Sequence, residues 1–205
     1  MTNVVPEDAR IAELTRELEN LRGRHAAVAD VLRALSRSGL RLQPILDQIV
    51  ETASPLCRAD SCMLHLADGD VLRIQASVGL RPGVAEYERA HPDRPGPHSC
   101  AGRVAMTKRP VHIPDIHADP DYTWPEGGFL TLLGLPVLFE DQLVGVIEVA
   151  RHKVQPFDDT EIDLMATFAD QSAIAIANAK LFETVERQKG ELARFVSPAV
   201  APGLL

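Results

Sequence analysis

The chain has 205 residues, 45% of them hydrophobic and 24% charged, ordinary globular proportions that exclude wholesale disorder and allow one domain with extensions or two small ones. Twenty-nine acidic against 21 basic residues leave a formal charge of −8. That balance speaks against a nucleic-acid partner and against docking on anionic lipid, since both need a basic surface.

The first residues, Met1–Asp8, are polar and acidic, which excludes an ordinary secretory signal. The longest apolar stretch, Leu132–Phe139, is far short of the roughly 20 residues of a spanning helix. Cys57, Cys62 and Cys100 are odd in number and lack a CxxC pairing, as reduced thiols do. The expectation is a soluble, cytoplasmic protein without a membrane partner.

In chain order, the first element is a heptad seam. Ile11, Leu14, Leu18, Leu21, His25, Val28, Leu32 and Leu35 recur in alternating steps of three and four. A helix over residues 7–37 is predicted, roughly 45 Å long at 1.5 Å per residue. A seam on an otherwise polar rod needs a partner, and a second copy of the chain is the expected one. Ser38-Gly39 interrupts it, and helicity resumes near Pro44 with Leu46, Ile49, Val50 and Ala53 on one face.

The period then changes. Ser61–Ala67 and Val71–Val78 read as a strand pair turning at Asp68-Gly69-Asp70, with Leu64, Leu66, Leu72 and Ile74 on one side. Gly79–Pro97 is a loop-bearing insertion with a helical turn near Val84–Ala90. Ser99–Lys108 is a predicted helix, capped by Ser99 and burying Val104 and Met106. A short strand at Pro110–Ile113 and a polar loop, Pro114–Gly128, follow.

Phe129–Phe139 and Gln142–Arg151 form the clearest hairpin, apolar enough to be central strands covered on both faces. A long helix capped by Asp158 or Asp159 is predicted to reach Phe195. Its later part follows Ile174, Asn178, Leu181, Val185, Gln188, Leu192 and Phe195, again in steps of four and three. The layout is a coil over 1–37, a mixed domain over 38–180, and a signalling helix and linker over 181–205. Its class is α+β, with an antiparallel sheet of five or six strands.

No nucleophile, phosphate-loop or zinc-protease motif occurs in the sequence. His91, His98, Cys100, His112 and His117 offer metal-ligand types at spacings that fit compact zinc sites poorly. The acidic residues Asp115, Asp119 and Asp121 lack the glycine and late glutamate of a helix-loop-helix calcium loop, so capping explains them better. Tyr122 and Trp124, in the same loop, either lid a pocket or seal the edge of the core. Cys100 near His98 is a candidate reactive thiol, with a buried inert thiol as the simpler reading.

Several separated segments together resemble a GAF domain: SCAGRVAMTKR at Ser99–Arg109, PVHIPDIHADPDY at Pro110–Tyr122, LLGLPVLF at Leu132–Phe139, LVGVIEVA at Leu143–Ala150 and FADQSAIAIANAKLF at Phe168–Phe182. Ala29–Cys57 is similar to the helical lead-in of GAF domains in bacterial signalling proteins, so the resemblance covers residues 30–187. It implies a six-stranded antiparallel sheet flanked by helices, a homodimer, and a non-enzymatic sensory role with a small-molecule pocket beside the sheet.

Leu192–Val200 is similar to the linker preceding nucleotide cyclase domains, which implies an output domain, a cyclase or a histidine kinase, absent from this chain. The Asn-Lys pair and Phe-x-x-x-Asp-Glu pattern of cyclic-nucleotide-binding members are missing, Phe157 being followed at that spacing by Glu161-Ile162. So is the Cys-His pair of bilin-binding members. The cofactor and the identity of any ligand stay unknown from the sequence.

Loop location makes His98, Cys100, Asp115, Tyr122, Trp124 and Phe129 the candidate ligand-binding residues. The expected dimer seam comprises Leu14, Leu18, Leu21, Val28, Leu32, Leu35, Leu181, Val185 and Leu192. Two alternatives stay open: a structural dimeriser with a vestigial pocket, and a thiol-dependent reductase related to free methionine sulfoxide reductases, drawing on Cys57, Cys62 and Cys100.

Overall fold

The computed structural model describes residues 41–125 and 127–195. The expected coil over residues 7–37, with Leu14, Leu18, Leu21, Val28, Leu32 and Leu35, lies outside the described residues, as does the side chain of Leu192.

Helix α1 (Leu42–Leu56) buries Ile45, Leu46, Ile49, Val50 and Ala53, the stripe expected of a helix lying on a sheet. Strands β1 (Ser61–Asp68) and β2 (Val71–Val78) form a hairpin whose turn uses Gly69 at a left-handed φ of 62°. Helix α2 (Val84–Ala90) and helix α3 (Cys100–Thr107) follow, then β3 (Val111–Ile113) and a single 3₁₀ turn at Ile116–Ala118. Strands β4 (Thr131–Phe139) and β5 (Gln142–Arg151) turn through Glu140 and Asp141, both left-handed at φ 48° and 62°, as a type I′ hairpin requires. Helix α4 runs unbroken from Asp159 to Phe195. Asp158 and Glu161 cap it reciprocally: each carboxylate accepts the other's backbone N–H, at 3.1 and 2.8 Å.

Among the described residues the sheet has five strands, all antiparallel, in the order β2-β1-β5-β4-β3. The expected sixth strand is reduced to one bridge. Leu72 and Asp93 exchange both backbone hydrogen bonds, at 2.8 and 3.0 Å. Pro92, Pro95 and Pro97 lack the N–H groups needed to extend that ladder.

One face of the sheet packs against α1 and α4 through Leu64, Leu66, Leu133, Leu135, Val137, Ile147 and Val149. The other face is covered by α3 and the long loops, with Met63, Ile74, Leu132, Ala150 and Val146 beneath them. The central strands are therefore covered on both sides, as their apolar runs predicted.

Two local expectations are corrected. Leu72 and Ile74 do not share a face with Leu64 and Leu66. The β1–β2 register shifts between Leu64 and His65, pairing them with Ala76 and Ile74 and leaving Gln75 as an extra residue. A bulge reverses the faces beyond it. Met106 is not buried but 56% exposed, because it lies roughly 200° around α3 from fully buried Val104. Ser99 does cap α3, its Oγ accepting from the Gly102 N–H at 2.9 Å.

Candidate functional site

The site lies where α2, α3 and the 114–128 loop cover the outer face of the sheet. Helix α3 approaches β4 closely because position 134 is glycine. A Cβ there would stand 2.7 Å from Val104 Cγ2 and 2.9 Å from Cys100 Sγ. The long loop is clamped to α3 by Arg103, whose guanidinium grips Asp119 in a bidentate pair at 2.5 and 2.9 Å. The Arg103 hydrogen bonds hold the Asp119 carboxyl below its ordinary range.

Between these elements is a small cavity lined by Met63, His65, Glu88, Asp93, Ser99, Cys100, Ala101, Tyr122, Trp124, Phe129 and Glu148. Its free volume of about 10 Å³ matches about one water molecule. Trp124 closes one side, its indole N–H donating to Glu88 Oε1 at 2.9 Å. Asp93 is held by Ser99 Oγ at 2.5 Å, His98 Nε2 at 2.8 Å and the Arg94 backbone N–H at 2.6 Å.

Three carboxyl side chains thus converge in the interior. Burial pushes Glu148 up to about 8, and Glu88 and Asp93 nearby add to the shift. Glu88 is also raised, chiefly by burial, against the opposing Trp124 hydrogen bond. His65 is pulled down to about 4 by burial, opposed by Asp93, so its imidazole is neutral at physiological pH.

Four of the six residues expected to bind a ligand, Cys100, Tyr122, Trp124 and Phe129, line this cavity. His98 stands behind it, orienting Asp93 and packing 5.7 Å from the Trp124 ring. Asp115 is not part of the cavity. Its Oδ1 accepts from the His117 N–H at 3.0 Å and caps the 3₁₀ turn. Sequence reasoning missed the acidic partners. Glu148 carried a signal, a lone carboxylate inside the apolar run Leu143–Ala150; Glu88 and Asp93 sit in polar segments that mark nothing.

The thiols are buried. Cys100 is 1% exposed, and burial, reinforced by Glu148, holds its thiol well above the ordinary range. Cys57 is raised to about 12, and Cys62 also stands well above its usual value. A thiol reagent such as DTNB at pH 8 is therefore expected to label no cysteine of the native protein and all three after denaturation. Rapid native labelling of Cys100 would contradict this burial. Of the histidines weighed as metal ligands, His112 Nε2 accepts from the Phe157 N–H at 3.1 Å and His91 contacts its own helix at Tyr87 O. Among the described residues no group of three or more histidine, cysteine or carboxyl side chains is arranged so that it could hold a metal ion, the cavity carboxyls included. Nor is any helix among them long and apolar enough to cross a membrane.

The GAF domain family model matches residues 41–176, about two thirds of the chain. The GAF domain of a phosphoenolpyruvate-protein phosphotransferase from Coxiella burnetii superposes with a TM-score of 0.67 at 19% identity, covering 78% of this chain and 97% of that one. A putative GAF sensor protein from Burkholderia vietnamiensis gives a TM-score of 0.66 at 20% identity, covering 78% and 98%. Free methionine-R-sulfoxide reductase from Neisseria meningitidis, solved with its substrate, gives 0.64 at 13% identity, covering 77% and 90%. At these identities the likenesses establish the fold: a five-stranded antiparallel sheet between helices. With a family match over more than half of its length, the chain belongs to the GAF domain family.

Proposed function

We propose that this chain is a non-enzymatic regulatory module that dimerises through its terminal helices and passes a signal along α4 to an output domain. The observation that carries this reading is the far half of α4. Among its described side chains the last fully buried one is Ala179, yet apolar side chains stand exposed before and beyond it: Ile174 is 49% exposed, Leu181 64%, and Phe182 and Val185 are exposed with them. Ile174, Asn178, Leu181 and Val185 fall in steps of four, three and four, the spacing of a coiled-coil seam.

The occupant argued for is a second copy of the chain. The Leu42 N–H donates to Glu183 Oε1 at 3.0 Å, so the chain enters the domain beside the point where α4 leaves it. The amino-terminal residues carry a seam of the same period. A parallel pair of such chains would set both seams on one axis.

Leu181→Glu combined with Val185→Glu is expected to convert a dimer into a monomer in sedimentation or light scattering, while circular dichroism stays native. A wild-type monomer, or a variant that remains dimeric, sinks the reading. A structural dimeriser with a vestigial pocket is the second reading, favoured by the small cavity volume. The reductase reading is opposed by the burial of Cys100, which disfavours the thiolate such chemistry needs.

A further inference from the structure

The lining of the inner cavity is chemically one-sided. Glu88, Asp93 and Glu148 contribute three carboxyl groups, each no more than 7% exposed, and no lysine or arginine lines the space. A carboxylate offers about four acceptor positions. Asp93 is supplied with three donors, but Glu88 receives only the Trp124 indole N–H, and Glu148 is approached by the Ala101 backbone N–H. His65, 3% exposed, lines the same space, and among the described residues its imidazole makes no hydrogen bond. The carboxyl groups of Glu88 and Glu148 and the His65 imidazole thus face a buried volume sized for one small polar group, with Asp93, the Ser99 and Tyr122 hydroxyls and the Trp124 indole as the other polar groups of its lining.

Two more features define what could fill it. The side chains of Tyr122, Trp124 and Phe129 line the same space, beside Met63, Cys100 and Ala101, and aromatic rings attract cations. Beyond Glu88 lies a second, outer cleft of about 210 Å³, lined by Pro82, Gly83, Val84, Tyr87, Pro125 and Gly127 together with Glu88 itself. Glu88 therefore stands between a small, carboxyl-rich chamber and an open, mainly apolar cleft. Glu88, held by the Trp124 indole N–H, is the residue the two linings share.

We propose that the inner cavity seats the ammonium group of a primary amine whose small apolar body lies in the outer cleft. An ammonium group brings three N–H donors and a positive charge in about the volume of a water molecule; Glu148, otherwise held as the neutral acid, releases its proton to solvent beside that charge and accepts from it together with Glu88 and His65. Entry requires the Trp124 side chain to exchange its bond to Glu88 for one between Glu88 and the ligand. The absence of any basic side chain from the lining selects against carboxylate-bearing ligands. The inference rests on the regulatory reading above and names the ligand class for its pocket.

The test is a titration of the 205-residue chain with phenethylamine, read by the fluorescence of Trp124, its single tryptophan. Uncharged 2-phenylethanol and anionic 3-phenylpropionate serve as shape-matched controls. The expected result is saturable quenching or a spectral shift by the amine, at least 10-fold weaker binding of the alcohol, and none of the carboxylate. Glu88→Gln and Glu148→Gln are each expected to weaken amine binding at least 10-fold while leaving the circular dichroism spectrum native. Should one variant fail to fold, the other decides.

Equal binding of amine and alcohol would overturn the proposal, since the cleft alone would then account for it. So would the lack of any saturable response to the amine, or unchanged affinity in the folded variant. Failure here with the dimer intact, and Leu181→Glu/Val185→Glu monomeric, would remove the ligand class and leave the regulatory reading standing. Amine binding by a monomer would do the reverse.

Discussion

Glu148→Gln is expected to melt at a higher temperature than the wild type at pH 8 and to differ little from it near pH 4.5. The carboxyl lies on the central strand β5, with Met63 beside it on β1 and glycine at position 134 beside it on β4. From the elements packed over it, Glu88, Asp93, His65, Cys100 and Tyr122 face the same space, and none offers a positive charge at neutral pH. Burial therefore favours the protonated acid, raising Glu148 from 4.5 to about 8. The unfolded chain releases its proton near 4.5 while the folded chain holds it until about 8. Stability is thus lost across that window as pH rises, by on the order of 4 kcal/mol at 1.36 kcal/mol per pKa unit.

The amide introduced by Glu148→Gln has no proton to lose, so the variant keeps its stability through the same window. For a domain of this size the gain at pH 8 corresponds to a shift of about 5 °C or more. His65 acts in the opposite direction. Its pKa falls from 6.5 to about 4 on folding, so stability present above 6.5 is lost as pH falls towards 4. Thermal melts of wild type and Glu148→Gln at pH 5, 6.5 and 8 check the assignment. An equal difference between the two proteins at every pH would show that the buried acid is not the cause.

The sheet and long helices were legible because their signals are periodic. The apolar runs at 132–139 and 143–150 predicted central strands, and the capped amphipathic pattern from Asp158 predicted α4. The β2 side-chain faces were not legible, because a single extra residue, Gln75, reverses them and no sequence period records a bulge. Nor was the reduction of the sheet to five strands among the described residues, although the prolines at 92, 95 and 97 were in plain view as obstacles to pairing. Within the cavity, aromatic and cysteine members of the lining were found by loop location. Its acidic members were not, because their meaning lies in convergence: Glu88 on α2, Asp93 at an isolated bridge and Glu148 on β5 are separated by up to 60 residues.

Arg151 should prove the most sensitive position in the domain. It ends β5, is only 1% exposed, and joins four segments through one guanidinium. Nη1 donates to the carbonyls of Gln155 and Pro156, both at 3.0 Å; Nη2 donates to Cys57 O and Glu161 Oε1, both at 2.7 Å. The same group lies 4.0 Å over the Phe157 ring. The end of α1, the end of β5, the 155–157 connection and the first turn of α4 thus share one donor.

Arg151→Ala would strand Glu161 and three carbonyls without their partner, at a cost of about 3–5 kcal/mol, a large share of a typical domain's stability. Arg151→Lys keeps a charge but has neither the planar fork nor the ring-stacking surface, so it is not a conservative change. It is expected to fold with a lower melting temperature, and to speed amide hydrogen exchange at least 10-fold over residues 155–163 before the strands are affected. Protection at 155–163 equal to wild type would refute this. Glu148 and Arg151 sit three residues apart on β5, and therefore on opposite faces: the first towards the cavity, the second towards α4. Glu148 thus shares its strand with the residue that anchors the first turn of α4, the route along which the proposed signal would pass. Arg151→Lys is accordingly expected to leave phenethylamine affinity within about twofold of wild type while loosening the link from cavity to helix.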